Sequence, residues 1–260
     1  TTVGIGTDVR IQSEGSPESL LEEASNQVFK QEYRTPLATH AHMEPHGAVA
    51  HVEKDKATMY VGTQASTLFR SAIAKAIDVE TEQLNIETTY AGGSFGRRID
   101  SKHSEKVARI AKIVGKPVHV FNTRTQEFQN AIYRPQTHHV LAAKIGENGT
   151  IEAITHSQAT PDQVLGAIPA NIGYTLLGAD FVSAGHGASI LYNIEHKSAT
   201  LWQNKLPVHT GIWRSVGMFP NTFAIESFIN ELAHKTGKDP LKMRLELLAG
   251  NEQINQRYKK

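Results

Sequence analysis

Apolar residues recur along most of the chain with the spacing of either helices or strands. Five stretches show the helical pattern, in which apolar positions repeat at intervals of three and four residues. The last of them begins with Asp239 as N-cap and Pro240 at the first helical position. A loose polar lead-in is expected before the first of these helices. The predicted helices cover residues 18–29, 67–77, 101–114, 223–234 and 240–250.

Other stretches have the pattern of strands. Residues 46–61 and 138–155 each predict a β-hairpin, the second with its turn at residues 147–149, and shorter strands are predicted at 84–90 and 118–121. The elements follow no regular βαβ order. The pattern therefore predicts an α+β fold, with a mixed, partly antiparallel sheet and packed helices.

The predicted elements are distributed over a lead-in segment with one helix, residues 1–30, and one large domain, residues 31–260. Residues 160–194 are rich in Gly, Ala and Pro and show little periodicity, so we expect a long irregular or partly helical connection there. The chain starts at Thr1 without a methionine, and we expect a processed or trimmed product.

Composition narrows the possible classes of function. Of the 260 residues, 39% are hydrophobic, which is enough for a sizeable core. The 27 basic residues are balanced by 26 acidic ones, so no overall field attracts nucleic acid, and no nucleic-acid partner is expected. The chain contains no cysteine, which excludes disulfides, thiolate nucleophiles and cysteine-ligated iron–sulfur centres within it.

The stretch Ala-Gly-Gly-Ser-Phe-Gly at residues 91–96, here called the glycine turn, lies between a predicted strand and a predicted helix and is followed by Arg97 and Arg98. Glycine permits positive φ and close approach of the backbone to a ligand, as in sites for anionic or planar cofactors. The spacing matches neither a phosphate-binding loop nor a dinucleotide fingerprint. A tight turn with two solvated arginines is an equally good interpretation of this stretch alone.

Three further stretches contain candidate site residues. Residues 40–46 contain three histidines and a glutamate, but their spacing fits no zinc pattern and Pro45 interrupts a helical face, which favours a rigid turn over metal ligation. Ser94 lacks the context of a nucleophile elbow. Trp213 and Arg214 lie between glycines, where a buried pair and a contact with phosphate or a planar ring are both open.

Several of these motifs occur in a fixed order, which is more specific than any one of them. The series resembles the molybdenum-cofactor (large) subunit of the xanthine dehydrogenase and aldehyde oxidase family. Its Arg-Arg pair is typical of the isoquinoline 1-oxidoreductase-like or aldehyde dehydrogenase-like branch. The resemblance covers roughly residues 31–250. The motifs lie at residues 33–36, 40–45, 62–64, 92–98, 133–135, 213–217 and 226–240.

The resemblance implies roles for particular residues. The glutamine of the Thr-Gln motif would hydrogen-bond an oxygen ligand of molybdenum, and the glycine turn would lie against the metal and its dithiolene. The Trp-Arg segment would present backbone amides and a side chain near the metal and pterin. No residue is expected to ligate the metal directly. The implied cofactor-binding residues are Gln64, Gly93, Phe95, Gly96, Trp213 and Arg214.

The implied reaction is hydroxylation of an aldehyde or N-heterocycle with oxygen from water. Electrons would leave through an iron–sulfur small subunit, and a cytochrome is a further expected acceptor. The implied cofactor is a molybdopterin-type molybdenum cofactor, including its cytosine dinucleotide form. In bacteria the resemblance points to a periplasmic or membrane-associated location, although no residue of the chain shows export.

The sequence also departs from the family. The family's general base is a glutamate in a Gly-Glu motif near the C-terminus of a much longer subunit, and this chain ends at Lys260 without it. Glu147 follows a glycine but belongs to a predicted hairpin turn, so it is not given that role. We therefore assign no catalytic residue. The chain is expected to be part of a large subunit, with the remainder as its partner, and to bind no cofactor and be inactive alone.

Two other functions remain open from the sequence. A non-catalytic binding module of the same fold would hold an anion or a partner subunit through Arg97, Arg98 and Arg214. A histidine-rich metal-binding protein would use the three histidines at positions 40, 42 and 46. In the binding module, the two arginines after the glycine turn would bind the anion or the partner subunit. In the molybdenum-cofactor subunit, they would anchor the turn or a neighbouring phosphate.

Overall fold

The structure is a computed structural model that describes residues 3–4, 6–24, 27–163 and 180–249. The chain divides into two compact units. The first comprises Thr1–Leu37, Pro135–Thr210 and Ser215–Lys260, and the second comprises Ala38–Arg134 and Gly211–Arg214. The predicted division into residues 1–30 and 31–260 stays a prediction.

Strands and helices alternate irregularly along the chain. The strands are β1 Thr7–Glu14, β2 Val28–Thr35, β3 Ala38–Thr39, β4 Gly47–Val52, β5 Ala57–Val61, β6 Leu84–Thr88, β7 Val118–Phe121, β8 Tyr133–Arg134, β9 Thr137–Ile145, β10 Ile151–Thr160 and β11 His196–Gln203. The α-helices are Pro17–Glu23, Ser66–Ile77, Lys102–Val114, Arg124–Gln129, Phe181–Ala184, Met218–Lys235 and Pro240–Leu248. Within the described ranges no helix combines the length and the apolar character needed to cross a membrane.

The first unit is built on a five-stranded sheet in the order β1-β11-β10-β9-β2. β10 and β11 are parallel, and the other neighbouring strands are antiparallel. Leu141 and Ile154 on this sheet belong to one buried cluster with Phe228 on the helix Met218–Lys235. Phe228 also stacks on Phe29 of β2, with ring centroids 5.6 Å apart. The apolar stripe of this long helix therefore covers the sheet.

The second unit contains a four-stranded sheet in the order β6-β5-β4-β7 and a small two-stranded sheet of β3 and β8. β5 and β6 are parallel, whereas β4 pairs antiparallel with both of its neighbours. Two amphipathic helices, Ser66–Ile77 and Lys102–Val114, share a core with this sheet. Phe69 and Ile73 on the first helix are buried in that core, as is Ala111 on the second. This packing holds β6 and the start of the helix Lys102–Val114 on either side of the glycine turn.

The sheets confirm the predicted mixed, partly antiparallel architecture. Both predicted hairpins are present as β4–β5 and β9–β10. The predicted helices at 67–77 and 101–114 agree with the structure to within a residue at each end. The helix predicted at 223–234 begins five residues earlier at Met218, and the helix predicted at 240–250 ends at Leu248. Of the connection predicted at 160–194, residues 164–179 lie outside the described residues.

The prediction for the first thirty residues was wrong in two respects. Residues 7–14 form strand β1 rather than a loose lead-in, and the first helix ends at Glu23, because residues 28–35 form strand β2. β1 pairs with β11 and β2 pairs with β9, both far along the chain. Pairing with distant strands thus overrides the local helical spacing on which the prediction rested.

A chain of hydrogen bonds runs through buried positions of the first unit. Thr35 Oγ1 lies 2.7 Å from Thr137 Oγ1, which lies 2.8 Å from His139 Nε2. His139 Nδ1 lies 3.0 Å from His156 Nε2, and His156 Nδ1 lies 3.0 Å from the Ala188 carbonyl oxygen. A carbonyl only accepts, so His156 donates from Nδ1 and accepts the Nδ1 proton of His139 at Nε2. His139 then accepts the hydroxyl proton of Thr137, and both imidazoles are neutral.

We expect this neutral pair to make the protein less stable in acid. Burial holds the pKa of His139 well below its ordinary value and lowers the pKa of His156 to about 4. Between about pH 6.5 and pH 4 the unfolded chain binds more protons than the folded one, so the free energy of unfolding decreases as pH falls. His156 alone accounts for a loss of roughly 3 kcal/mol at the acid end of this range.

Urea unfolding at pH 7, 6 and 5 measures this effect. The double variant His139→Gln, His156→Gln keeps side-chain amides that hydrogen-bond but do not titrate, and it should show a shallower pH dependence. Burial also lowers the pKa of His40, His42 and His103, which act in the same direction. A free energy of unfolding that is constant or higher at pH 5 than at pH 7 would contradict the prediction.

Candidate functional site

The glycine turn connects β6 to a short 3-10 helix, Arg97–Ile99, in the second unit. Gly93, Phe95 and Gly96 have φ angles of 98°, 55° and 99°. At Gly96 an added Cβ would lie 2.4 Å from the carbonyl oxygen of Ile212, so a residue with a side chain does not fit there. The turn therefore packs directly against the segment Gly211–Arg214.

Arg98 anchors the glycine turn from inside. Its side chain is fully buried, and its guanidinium donates to the carbonyl oxygens of Gly93 at 3.1 Å and Glu44 at 2.8 Å. It also pairs with the Glu44 carboxylate at 3.1 Å. The same carboxylate accepts the backbone N–H of Gly92 at 2.6 Å. The structure thus ties the histidine-rich motif at residues 40–45 to the glycine turn, and it supports the anchoring role for Arg98.

Gln64 lies directly beside the turn. Its backbone N–H donates to the Arg98 carbonyl oxygen at 3.1 Å, and its side-chain Oε1 accepts the backbone N–H of Gly96 at 3.0 Å. Because that N–H can only donate, it fixes the orientation of the Gln64 amide. The Nε2 amino group then points away from the bond and donates to no other described residue. Gln64 therefore offers an oriented amino group, with two N–H donors that have no partner among the described residues.

Trp213 is held from two directions. Its ring stacks on His40 with centroids 4.6 Å apart, and the guanidinium of Arg134 lies 5.4 Å from the ring centroid. His40 in turn donates from Nε2 to the Ile212 carbonyl oxygen at 2.7 Å. The first histidine of the motif at residues 40–45 thus positions the indole of Trp213.

Arg214 joins this segment to the turn, because its backbone N–H donates to the Phe95 carbonyl oxygen at 2.9 Å. That N–H is already used, so Arg214 can reach a cofactor through its exposed side chain but not through its amide. The Phe95 side chain is 42% exposed. The structure brings the predicted residues together through contacts within one unit, and their cofactor-binding roles stay predictions. These residues are Gln64, Gly93, Phe95, Gly96, Trp213 and Arg214.

The sequence did not point to Glu127, which is buried on the helix Arg124–Gln129. Its Oε1 accepts Nδ1–H of His46 at 2.8 Å, and its Oε2 accepts the backbone N–H of His46 and the Asn122 amide, both at 3.1 Å. Burial would raise the pKa of Glu127, but its bonds to His46 and Asn122 hold it well below its usual range. The contact spans 81 positions of sequence, and no local motif signals it.

Comparison with known proteins places this arrangement in a family. Residues 5–248 match the model of the molybdopterin cofactor-binding domain. The chain belongs to this family. The match covers both units, and it confirms the resemblance found from the ordered motifs.

Relatives of this molybdopterin cofactor-binding domain are subunits of larger size. It is 29% identical to the aldehyde oxidoreductase molybdenum-binding subunit PaoC of Escherichia coli K12, over 82% of this chain and 28% of that protein. It is 30% identical to a probable xanthine dehydrogenase subunit of Bacillus subtilis, over 85% and 29%. For the isoquinoline 1-oxidoreductase subunit beta of Brevundimonas diminuta the identity is 25%, over 82% and 27%. The chain thus spans less than a third of each relative.

Solved structures confirm the fold of the molybdopterin cofactor-binding domain. The aldehyde oxidoreductase from Desulfovibrio gigas superimposes with a TM-score of 0.76 at 21% identity, over 92% of this chain and 26% of that one. Quinoline 2-oxidoreductase from Pseudomonas putida 86 gives a TM-score of 0.78 at 18% identity, over 92% and 30%.

The residues present fit the cofactor that gives the family its name. Gln64 supplies a free donor suited to an oxygen ligand of a metal, because an N–H group can only donate and such an oxygen accepts. Phe95 supplies a partly exposed aromatic ring on the adjacent turn, and Arg214 an exposed guanidinium for a planar or anionic group. A donor, a ring and a cation are thus presented by neighbouring residues of one unit.

Proposed function

We propose that this domain forms one wall of the molybdenum site in a hydroxylase that oxidises aldehydes or N-heterocycles, using water as the source of oxygen. When bound, the molybdenum cofactor supplies the redox chemistry, and the residues of this chain bind and orient it. The proposed range of substrates is supported by the names of the relatives, which include aldehyde and isoquinoline oxidoreductases, xanthine dehydrogenases and a nicotinate dehydrogenase.

The hydrogen bond from Gly96 to Gln64 is the observation that carries this proposal. It consumes the acceptor of the Gln64 side chain and leaves its donor free and oriented. Gly96 has a positive φ, which residues with a side chain rarely adopt. The path of the turn, and with it the direction of this N–H, therefore depends on glycine at this position. A donor that is fixed before a ligand binds loses little freedom on binding and positions that ligand accurately.

Gln64 and Phe95 are both exposed in this chain, and Trp213 is stacked on His40 so that it stays in place. A bound cofactor would cover the Gln64 amide. Removing water in this way would strengthen the hydrogen bond that Gln64 makes to its ligand, because the local dielectric constant falls. In this proposal the domain binds and orients the cofactor.

We propose that activity requires the remainder of a longer large subunit, which supplies the general-base glutamate. An iron–sulfur small subunit and a cytochrome would carry the electrons away, and the cofactor would be molybdopterin or its cytosine dinucleotide form. The isolated chain would then bind no cofactor and be inactive. This part of the proposal is supported by the coverage of only 28% and 29% of the first relatives and by their names, which are those of subunits.

The test compares the isolated 260-residue chain with the same chain produced together with the products of the neighbouring genes. Elemental analysis measures molybdenum, and dye-linked oxidation of benzaldehyde, nicotinate and isoquinoline measures activity. We expect molybdenum and turnover in the assembled complex alone. Stoichiometric molybdenum with turnover by the isolated chain would overturn the need for the remainder. An assembled complex without molybdenum would overturn the site itself.

The Gln64→Glu variant tests the donor specifically. A carboxylate still accepts the Gly96 N–H but offers no N–H of its own, so the fold should be unchanged. In the assembled enzyme we expect kcat/KM to fall by about 100-fold or more, as for loss of a single positioned donor. The Gln129→Glu variant, at an exposed position at the end of the helix Arg124–Gln129, is the matched control. If Gln64→Glu retains full activity, the proposed role of this amide is wrong.

The alternative of an anion-holding module is not favoured. Arg98 is fully buried, with its donors used internally, and Arg97 is only 7% exposed and pairs with Asp100 at 3.1 Å. Neither guanidinium is available to an external anion. Of the three arginines considered, Arg214 alone is exposed, and it lies beside the glycine turn.

A further inference from the structure

Three buried side chains of the second unit, His42, His46 and Glu127, offer ligand atoms that all lie within 4.8 Å of one another. Their side chains are 1%, 4% and 3% exposed. None of them belongs to the residues expected to hold the molybdenum cofactor. We propose that these three residues bind one divalent transition-metal ion of the zinc type, at a site separate in composition from the cofactor wall.

Unsatisfied nitrogen atoms are the first observation that points to a ligand. Neither Nδ1 nor Nε2 of the buried His42 has a hydrogen-bond partner among the described residues, and the same holds for Nε2 of His46. A neutral imidazole carries one donor and one acceptor, and buried polar groups are normally paired. His42 therefore lies in an environment that leaves its lone pair free for an external partner.

The distances are compatible with a single ion. Glu127 Oε1 lies 2.8 Å from His46 Nδ1 and 3.8 Å from His42 Nε2. Two ligands bound at about 2.1 Å each are separated by at most about 4.2 Å. The distance from Glu127 to His42 falls within this limit, and all three ligand atoms lie within 4.8 Å of one another. The 2.8 Å between Glu127 and His46 is a hydrogen-bond distance, so these two atoms must move apart to share an ion. The imidazole rings are nearly perpendicular, with centroids 5.1 Å apart, and rotations of these rings would bring the three ligand atoms around one ion. Ligation by His46 Nδ1 requires only that its proton move to Nε2, which is unpaired among the described residues.

The surrounding charges are compatible with a cation. Arg97 Nε lies 3.5 Å from Glu127 Oε1 and opposes a second positive charge. Arg97 is itself paired with Asp100, however, at 3.1 Å. The two carboxylates and the one guanidinium sum to a charge of −1, so a divalent ion leaves the cluster at +1. Three further ionisable residues lie near the site. They are His103, with its ring centroid 5.9 Å from that of His46, His40, and Arg98, whose charge is paired with Glu44 at 3.1 Å.

The donor set indicates the class of metal. Two imidazoles and a carboxylate are typical ligands of zinc and of ferrous, cobalt and nickel ions, whereas calcium and magnesium prefer oxygen ligands throughout. A cavity of about 10 Å³ lies beside His42, Glu127 and Arg97 and is large enough for about one water molecule. Three protein ligands and one water give the four-coordinate arrangement common for zinc.

The experiment is a titration of the isolated 260-residue chain with zinc, measured by isothermal titration calorimetry after a chelator has removed any bound metal. We expect one equivalent of zinc to bind, with affinity reduced about 100-fold or more in His42→Ala and in His46→Ala. The variant His119→Ala, at an exposed position of β7, is the matched control and should bind as the unchanged chain does. Circular dichroism of each variant confirms that it is folded.

Two measurements on the unchanged chain keep the proposal testable should a histidine variant fail to fold. Cobalt loading should give visible absorption bands of a four-coordinate ion, and X-ray absorption of the zinc form should show two imidazole ligands near about 2.0 Å. Any one of three results would overturn the proposal and leave a water molecule in the cavity. They are no zinc binding, binding that is lost equally in His119→Ala, and a spectrum without imidazole ligands. Neither readout involves molybdenum, so this result is independent of the proposed oxidoreductase function.

Discussion

Replacing Arg98 with methionine should lower the free energy of unfolding by about 3 kcal/mol, because several backbone carbonyl oxygens would lose the guanidinium that donates to them. Methionine fills a similar volume but donates no hydrogen bond. The carbonyl groups of Gly93 and Gly62 would lose their donor, and the Glu44 carboxylate would lose its cation. Each buried acceptor left without a partner is destabilising by about 1–3 kcal/mol. Urea unfolding followed by circular dichroism measures the loss.

Two variants separate anchoring from a general effect of losing an arginine. Arg70→Met, on the exposed side of the helix Ser66–Ile77, should change the free energy of unfolding by less than about 0.5 kcal/mol. Arg98→Lys keeps the charge but cannot reproduce the planar fork of donors, so its effect should lie between the other two. If Arg98→Met and Arg70→Met are equally stable, the glycine turn is held by contacts other than those of Arg98.

Local patterns were sufficient for most of the fold. The hairpins β4–β5 and β9–β10 and the helix Lys102–Val114 each combine a clear period with a turn or stop signal, such as the left-handed Gly115 that caps this helix. The first thirty residues failed because β1 and β2 depend on partners that only the folded sheet brings near. A strand at residues 7–14 has no neighbouring strand in sequence with which to form a hairpin.

The candidate site was predictable in its parts but not in its assembly. The order of the motifs identified Gln64 and Gly96, and the structure adds the hydrogen bond that joins them. Sequence could not show that Arg98 points inward, since two adjacent arginines after a turn are usually solvated. It also could not connect His46 with Glu127, because the helix that carries Glu127 has no metal-ligand spacing of its own. Contacts across long intervals are decided by the topology of the sheets.

The second unit takes its last part from a distant piece of the chain, the segment Gly211–Arg214. Three hydrogen bonds help attach this segment to the rest of the unit. Gly211 N–H donates to the Tyr133 carbonyl oxygen, Arg214 N–H donates to that of Phe95, and the Ile212 carbonyl oxygen accepts from His40. Two of these contacts involve the glycine turn or the histidine motif. The shape of the proposed cofactor wall therefore depends on how closely the turn approaches residue 212.

Gly96→Ala should be among the most destabilising single substitutions in this unit, lowering the free energy of unfolding by more than about 3 kcal/mol. Two effects combine. The φ angle of 99° lies in a region that costs a residue with a side chain of order 1–3 kcal/mol. In addition, the new methyl group would lie 2.4 Å from the carbonyl oxygen of Ile212, which must move away and weaken its bond to His40. Urea unfolding gives the free energy.

Gly115→Ala is the control that shows the first effect alone, because Gly115 also has a positive φ, 66°, but an added Cβ there meets nothing within 4 Å. Comparison of the two variants therefore isolates the effect of the close contact. Gly115→Ala should be destabilised by only about 1–2 kcal/mol, the conformational cost alone. The excess loss in Gly96→Ala then reports the contact between the glycine turn and residue 212. If the two variants lose the same free energy, residue 212 yields without cost, and the close approach seen in the structure does not constrain the site. In the assembled enzyme, a Gly96→Ala variant with a displaced turn should also turn the Gln64 donor away from its ligand, so activity should fall together with stability.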